Sequence, residues 1–143
     1  MHIQILLLYL HQQRSIKNHR SMEKINKVRD YLKSEEGIAE VFTMAFDNEM
    51  FYADYTAEMR DKYANDDIFY EDVLADIIIG GGEIAIVDTE DDEKYLIDKE
   101  TWDDAIDKIE DTMLLNTWAD GCPDFEMCYA ILQYVVFGKV VYE

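Results

Sequence analysis

Twelve of the 24 residues in DTEDDEKYLIDKETWDDAIDKIED (Asp88–Asp111) are Asp or Glu, and only Lys94, Lys99 and Lys108 oppose them. Charges of this density must stay in water, because an unpaired buried carboxylate is too costly to keep. Each element of such a chain therefore has to separate an acidic face from an apolar one. Set on a helix over about Lys99–Thr117 and capped by Asp98, the acids Glu100, Asp103, Asp104, Asp107, Glu110 and Asp111 fall at steps of three and four. They form one continuous stripe. Trp102, Ala105, Ile106, Ile109 and Met113 form the buried stripe opposite. Like charges four apart weaken a helix by roughly a few tenths of a kcal/mol per pair, and only Lys108 interrupts them.

The same imbalance runs through the whole chain. The net charge is −19 over 143 residues, yet 49% of the residues are hydrophobic. That apolar fraction excludes disorder and is enough for one globular core. The charge is not evenly spread. Residues 1–34 carry seven Lys or Arg and two acids, for a sum of +5, and residues 35–143 sum to −24. A basic N-terminal arm precedes an acidic body.

Periodicity outlines the fold. Ser21 is placed to cap a helix through about Lys33, with Ile25, Val28 and Leu32 on one face. EEGIAEVFTMAF continues as a second short helix. Asp47 or Asn48 would cap a third, with Phe51, Tyr52, Tyr55, Met59 and Tyr63 at helical spacing. Asp66 or Asp67 would cap a fourth, from about Ile68 to Ile79, ended by Gly80–Gly82. The period then shortens. EIAIVD and KYLID flank the polar TEDDE and read as a β-hairpin. A last helix, about Asp124–Phe137, is apolar on most sides and belongs at the centre of the core. KVVYE reads as a final strand. The prediction is an α+β fold, mainly helical, one domain, with a short hairpin (about residues 83–98) packed on helices.

MHIQILLLYL resembles the start of a secretory signal only superficially. The run Ile3–Leu10 has no basic segment before it and no small-residue cleavage pattern after it, and it is too short to span a membrane. Residues 1–21 contain no acid, whereas the rest is saturated with acid. They read as a basic extension, with 22–143 as the acidic domain.

The side-chain inventory narrows the chemistry. All three histidines, His2, His11 and His19, precede residue 22, and Ser34 is the single serine after it. The body holds neither a Ser-His-Asp triad nor a Cys-His pair, and the usual zinc sites lack their ligands. Cys122 and Cys128 are five residues apart, which suits neither a zinc knuckle nor a redox pair; Cys128 reads as a buried thiol in a reducing cell interior. IIIGGGE ends a helix and enters a strand, the reverse of a phosphate-binding loop. Asp88, Glu90 and Asp92 match the first ligands of a calcium loop, but Glu93 stands where glycine is needed and Lys99 where glutamate is. The hairpin turn is therefore expected to be solvated, and no cofactor or metal, and no catalytic residue, is assigned. Direct nucleic-acid binding is disfavoured, because it relies on Lys and Arg displacing counterions from phosphates.

The remaining function is binding. Residues four apart on a helix lie about 6 Å apart along its axis, a spacing at which carboxylates can meet Lys and Arg arranged for a phosphate backbone. The expected partner is a basic nucleic-acid-binding protein or nuclease, met by Glu90, Asp91, Asp92 and Glu93 at the hairpin tip together with Glu100, Asp103, Asp104, Asp107, Glu110 and Asp111. Asp47, Glu49, Asp54, Glu58 and Asp61 would extend the field on the third helix, and Asp66, Asp67, Glu71, Asp72 and Asp76 on the fourth. Tyr52, Tyr55, Tyr63, Tyr70 and Tyr95 stand among these acids, as interface tyrosines do, although core or half-buried packing is the better explanation of any single one. Phage inhibitors of restriction or CRISPR nucleases act by such mimicry, as do immunity proteins of nuclease toxins. No motif ties the chain to any such family. The competing expectation is an acidic adaptor whose charge serves solubility alone. The cations Lys24, Lys27, Arg29 and Lys33 would dock on the acidic body of the same chain or of a second copy, which makes a homodimer an open alternative. The setting that fits is the cytoplasm of a bacterium or phage-infected host.

Overall fold

The computed structural model describes residues 2–121 and 123–142, apart from the side chains of 2, 17–19, 21 and 48. Among these are seven α-helices, one 3-10 turn and a three-stranded antiparallel sheet in the order β1-β2-β3. The α+β, mainly helical architecture is as the periodicity predicts.

The first helix, α1, runs without a break from His2 to Leu32. No start occurs at Ser21, because His2–Arg20 already supplies a turn to build on and contains no Pro or Gly. The helix enters the core only at its far end, where Ile25, Val28 and Leu32 are buried as expected. It stops where Ser34 turns the chain. Ser34 Oγ donates to the Tyr31 carbonyl and accepts the Gly37 N–H at 3.1 Å, which caps α2 (Glu35–Ala45). Gly37 sits so close to the end of α1 that a Cβ there would overlap the Tyr31 carbonyl oxygen.

The expected third helix is replaced by three pieces. Phe46–Asn48 form the 3-10 turn, β1 is Phe51–Asp54, and α3 is Ala57–Tyr63, capped by Thr56. The aromatic spacing fits a helix, but Phe51 and Ala53 alternate inward with Tyr52 and Asp54 outward, and this period of two wins because β2 offers an open edge. Helix α4 is Tyr70–Ile79. It starts after Phe69, not at Asp66 or Asp67, because Asn65 Oδ1 takes the Asp67 N–H at 2.8 Å into a local turn. The three glycines end it, with Gly81 at φ +91°.

The hairpin is as expected, with β2 (Ile84–Asp88) pairing with β3 (Lys94–Ile97). The predicted long helix is two. Helix α5 covers Lys99–Asp107 and α6 covers Thr112–Ala119. Asp98 caps α5 as predicted, accepting the Thr101 N–H at 2.8 Å. The break has two causes. Asp111 competes for the backbone as a cap, and it starts α6 by accepting the Leu114 N–H at 3.0 Å. Ile109 is fully buried in the connection, and Arg29 donates to its carbonyl at 2.8 Å. Met113, expected in the core, therefore points to solvent, and Leu115 and Trp118 take its place.

Helix α7, Phe125–Phe137, lies at the centre as predicted, capped by Asp124 and ended by Gly138 at φ +76°. Residues 139–142 do not form the expected strand; the buried Gln133 bonds the backbone of Val141 and Tyr142 instead. Cys128 is buried, which pushes its thiol up to about 12. Cys122 lies outside the described residues.

Gly37→Ala forces the Tyr31 carbonyl and the α1–α2 corner apart. The expected loss is about 1–3 kcal/mol, the usual range for overpacking, read as a lower midpoint of urea denaturation with an unchanged slope.

Candidate partner-binding surface

The hairpin tip carries the acids as the sequence suggests. Glu90, Asp91, Asp92 and Glu93 are all exposed in the loop between β2 and β3. Two carboxylates shape that loop: Asp88 Oδ1 accepts the Glu90 N–H at 2.9 Å, and Asp91 Oδ1 accepts the Glu93 N–H at 3.0 Å. Asp92 adopts a left-handed φ of 60°, which aspartate tolerates. Thr89 Oγ1 donates to the Met50 carbonyl at 3.0 Å and ties the tip to β1.

Asp88 does not belong to the tip. It is 1% exposed, and its second oxygen accepts the Tyr142 hydroxyl at 2.6 Å. The residue that resembles the first ligand of a calcium loop is thus a core anchor. Among the described residues no group of three or more His, Cys, Asp or Glu is arranged to hold a metal ion. The bond to Asp88 raises the Tyr142 hydroxyl above its ordinary range, with burial second. The Tyr142 ring packs with Phe51 and Phe137. Gln133 Oε1 accepts the Val141 and Tyr142 N–H groups at 2.8 and 2.7 Å, and its Nε2 donates to the Tyr142 carbonyl at 3.0 Å.

The second group of acids is not one stripe. Glu100 and Asp104 are exposed on α5. Asp103 pairs with Lys99 one turn before it, and Asp107 pairs with Lys33 at the end of α1. Glu110 is exposed in the connection to α6, and Asp111 is the α6 cap. Among the described residues, Glu90, Asp91, Asp92, Glu93, Glu100, Asp104 and Glu110 make no ion pair. The acids assigned to the third helix are likewise redistributed: Asp47 lies in the 3-10 turn, Asp54 at the end of β1, and Glu58 and Asp61 on α3.

The cations of α1 explain part of this pattern. Lys24 pairs with Asp120, Lys33 with Asp107, and Arg29 reaches the Ile109 carbonyl. The basic end of α1 thus docks on the α5–α6 side of its own chain.

A second acidic patch was not foreseen. Glu35 and Glu36 begin α2, and Asp72 and Asp76 lie on the packed α4. The Glu35 carboxyl hydrogen-bonds to Asp76, which raises its proton affinity; the charge of Asp76, burial, and the charges of Asp72 and Glu36 add to it in that order. Helix spacing hints at Asp72 and Asp76 on one face, but only the α2–α4 packing brings Glu35 to them.

The tyrosines among the acids mostly serve the fold. Tyr55 stacks on Tyr70 at 6.0 Å, Tyr70 donates to the Ala53 carbonyl, Tyr63 donates to the Gly80 carbonyl at 3.2 Å, and Tyr95 meets Phe137 edge-on at 5.3 Å. Tyr52, 49% exposed, is the one whose hydroxyl and ring have no such role among the described residues.

No protein-family model matches the chain, and neither a curated protein nor a solved structure matches it significantly.

Two outcomes follow from this geometry. Gln133→Leu removes three hydrogen bonds to the 141–142 backbone and should cost about 1–3 kcal/mol, with faster amide exchange at Val141 and Tyr142. Alkaline pH should destabilise the fold. Burial pushes Tyr31 and Tyr70 up to about 12, with the Tyr31–Glu40 bond contributing to the first. Both are held neutral when folded, so their stabilisation is complete below the ordinary value of 10.0 and is lost as the pH rises toward about 12. Far-UV ellipticity followed through that window measures it.

Proposed function

We propose that this chain is a non-catalytic inhibitor that occupies the nucleic-acid site of a basic protein, with a nuclease as the favoured target. Phage proteins that block restriction or CRISPR nucleases are the kind of protein it would be, acting in the cytoplasm of an infected bacterium. The observation that carries this reading is that the exposed tip Glu90–Glu93 and, on the α5 side, exposed Glu100, Asp104 and Glu110 make no ion pair among the described residues. Among the described residues, the cations at the end of α1 pair with Asp107 and Asp120. Carboxylates left in this state repel one another, and Lys and Arg aligned for phosphates relieve that repulsion. The Glu35–Asp76 pair is a second place where an external cation would do so. Asp103, Asp107 and Asp111 support the contact by keeping α5 and α6 in place.

An acidic adaptor or structural protein whose charge serves solubility remains the second reading. The use of Asp98, Asp111 and Asp124 as helix caps favours it, because part of the acidity is then structural. An immunity protein of a nuclease toxin would use the same surface as an inhibitor.

The test is capture from a bacterial lysate on the immobilised chain, eluted with rising salt and repeated with competitor DNA. The inhibitor reading requires a nucleic-acid-binding protein that DNA displaces. With that protein in hand, reversing Glu90, Glu93, Glu100 and Asp104 to Lys should weaken binding at least about a hundredfold, since close interfacial charge pairs contribute several kcal/mol together. The denaturation midpoint should not fall, because the reversal also relieves repulsion within the chain. Retention that DNA does not disturb, or binding indifferent to the reversal, leaves the solubility reading.

A further inference from the structure

We propose that the N-terminal end of α1 is a membrane-surface anchor: Ile3–Leu10 enter one leaflet of an anionic bilayer without crossing it, and Arg14 and Arg20 meet the phosphate layer. Ile3 is 75% exposed and Leu8 64%, and Ile5, Leu6, Leu7, Tyr9 and Leu10 are each more than half exposed.

Their distribution around the helix selects the occupant. Successive residues turn by about 100°, so Leu6–Leu10 point in every direction around the axis. A protein groove or a second helix covers one stripe and leaves the others in water. Hydrocarbon covers all of them.

Length agrees with this. Ile3–Leu10 rise about 12 Å along the axis, against about 15 Å for half of a bilayer's hydrocarbon core. Among the described residues no helix is long and apolar enough to cross a membrane, and one leaflet is the depth this run can fill.

Charge supplies the sign of the surface. Residues 1–21 hold no Asp or Glu, and Arg14 and Arg20 are exposed on the same helix. Tyr9 stands at the boundary between the apolar run and the basic one, where aromatic rings with a polar tip settle. The acidic body would be repelled by anionic lipid, but α1 keeps it away. Among the described residues Ile25 is the first buried one of α1, and it lies about 17 Å along the axis from Arg14. That distance is about twice the screening length of about 8 Å at physiological ionic strength. Parallel pairing of two arms would instead bring their arginines and both acidic bodies together. The anchor does not depend on the inhibitor reading, since it uses no residue of the acidic surface.

Flotation of the full chain with vesicles tests it, comparing phosphatidylcholine alone with phosphatidylcholine mixed with phosphatidylglycerol. The expected result is flotation with the anionic vesicles. It should fall at least about tenfold in Leu6→Glu plus Leu10→Glu, given the cost of charge in hydrocarbon. Arg14→Glu plus Arg20→Glu should lose the preference for anionic lipid. These side chains lie outside the core, so both variants should keep the parent's thermal midpoint. Absence of flotation with either vesicle overturns the anchor, as does flotation that the leucine variant leaves intact. Light scattering that shows a dimer broken by the leucine variant, with no capture by vesicles, assigns the arm to a second copy instead.

Discussion

The joint at the end of α1 organises the molecule. A helix that ends inside a protein leaves carbonyls without intrahelical partners. Here three are taken up by side chains. Trp102, fully buried on α5, donates its indole N–H to the Leu32 carbonyl at 2.8 Å. Lys99 Nζ donates to the Lys33 carbonyl at 3.0 Å and also pairs with Asp103. The Ser34 hydroxyl takes the Tyr31 carbonyl while capping α2. One corner therefore ends one helix, starts the next, and fixes α5 across both. Lys99 at this position also suits the negative end of the α1 dipole.

From that corner the charge distribution follows. With α5 fixed against α1, Lys33 reaches Asp107, and with α6 beside α1, Lys24 reaches Asp120. The chain neutralises itself on this side. The hairpin tip, held by Thr89 and by Asp88 beneath it, projects elsewhere and keeps its carboxylates exposed. Such surface pairs contribute little to stability individually. Their importance is in deciding which acids are left for a partner.

Beyond the acids in ion pairs, three kinds are told apart by what they touch. Asp98, Asp111 and Asp124 cap helices and would be needed whatever the protein binds. Asp88 is buried and holds the C-terminal segment through Tyr142. The tip and the outer face of α5 do neither. A net charge of −19 thus overstates the surface open to a partner.

The sequence by itself determined the fold class, the hairpin, the central α7, and the Asp98 and Gly80–Gly82 boundaries. Each rests on contacts within a few residues: a side-chain cap, a glycine stop, a period of two or of 3.6. It also placed the acids at the hairpin tip, because a polar loop between two apolar runs has nowhere to go but solvent. Only the tertiary structure decided the rest. Phe51–Asp54 became a strand because β2 offered an edge. The long acidic helix broke where Ile109 was drawn into the core and Arg29 met its carbonyl. Glu35 came to lie against Asp76, which raises the proton affinity of Glu35, because α2 packs on α4. In each case the deciding partner lies at least 31 residues away in the chain, and local periodicity carries no record of partners at that distance.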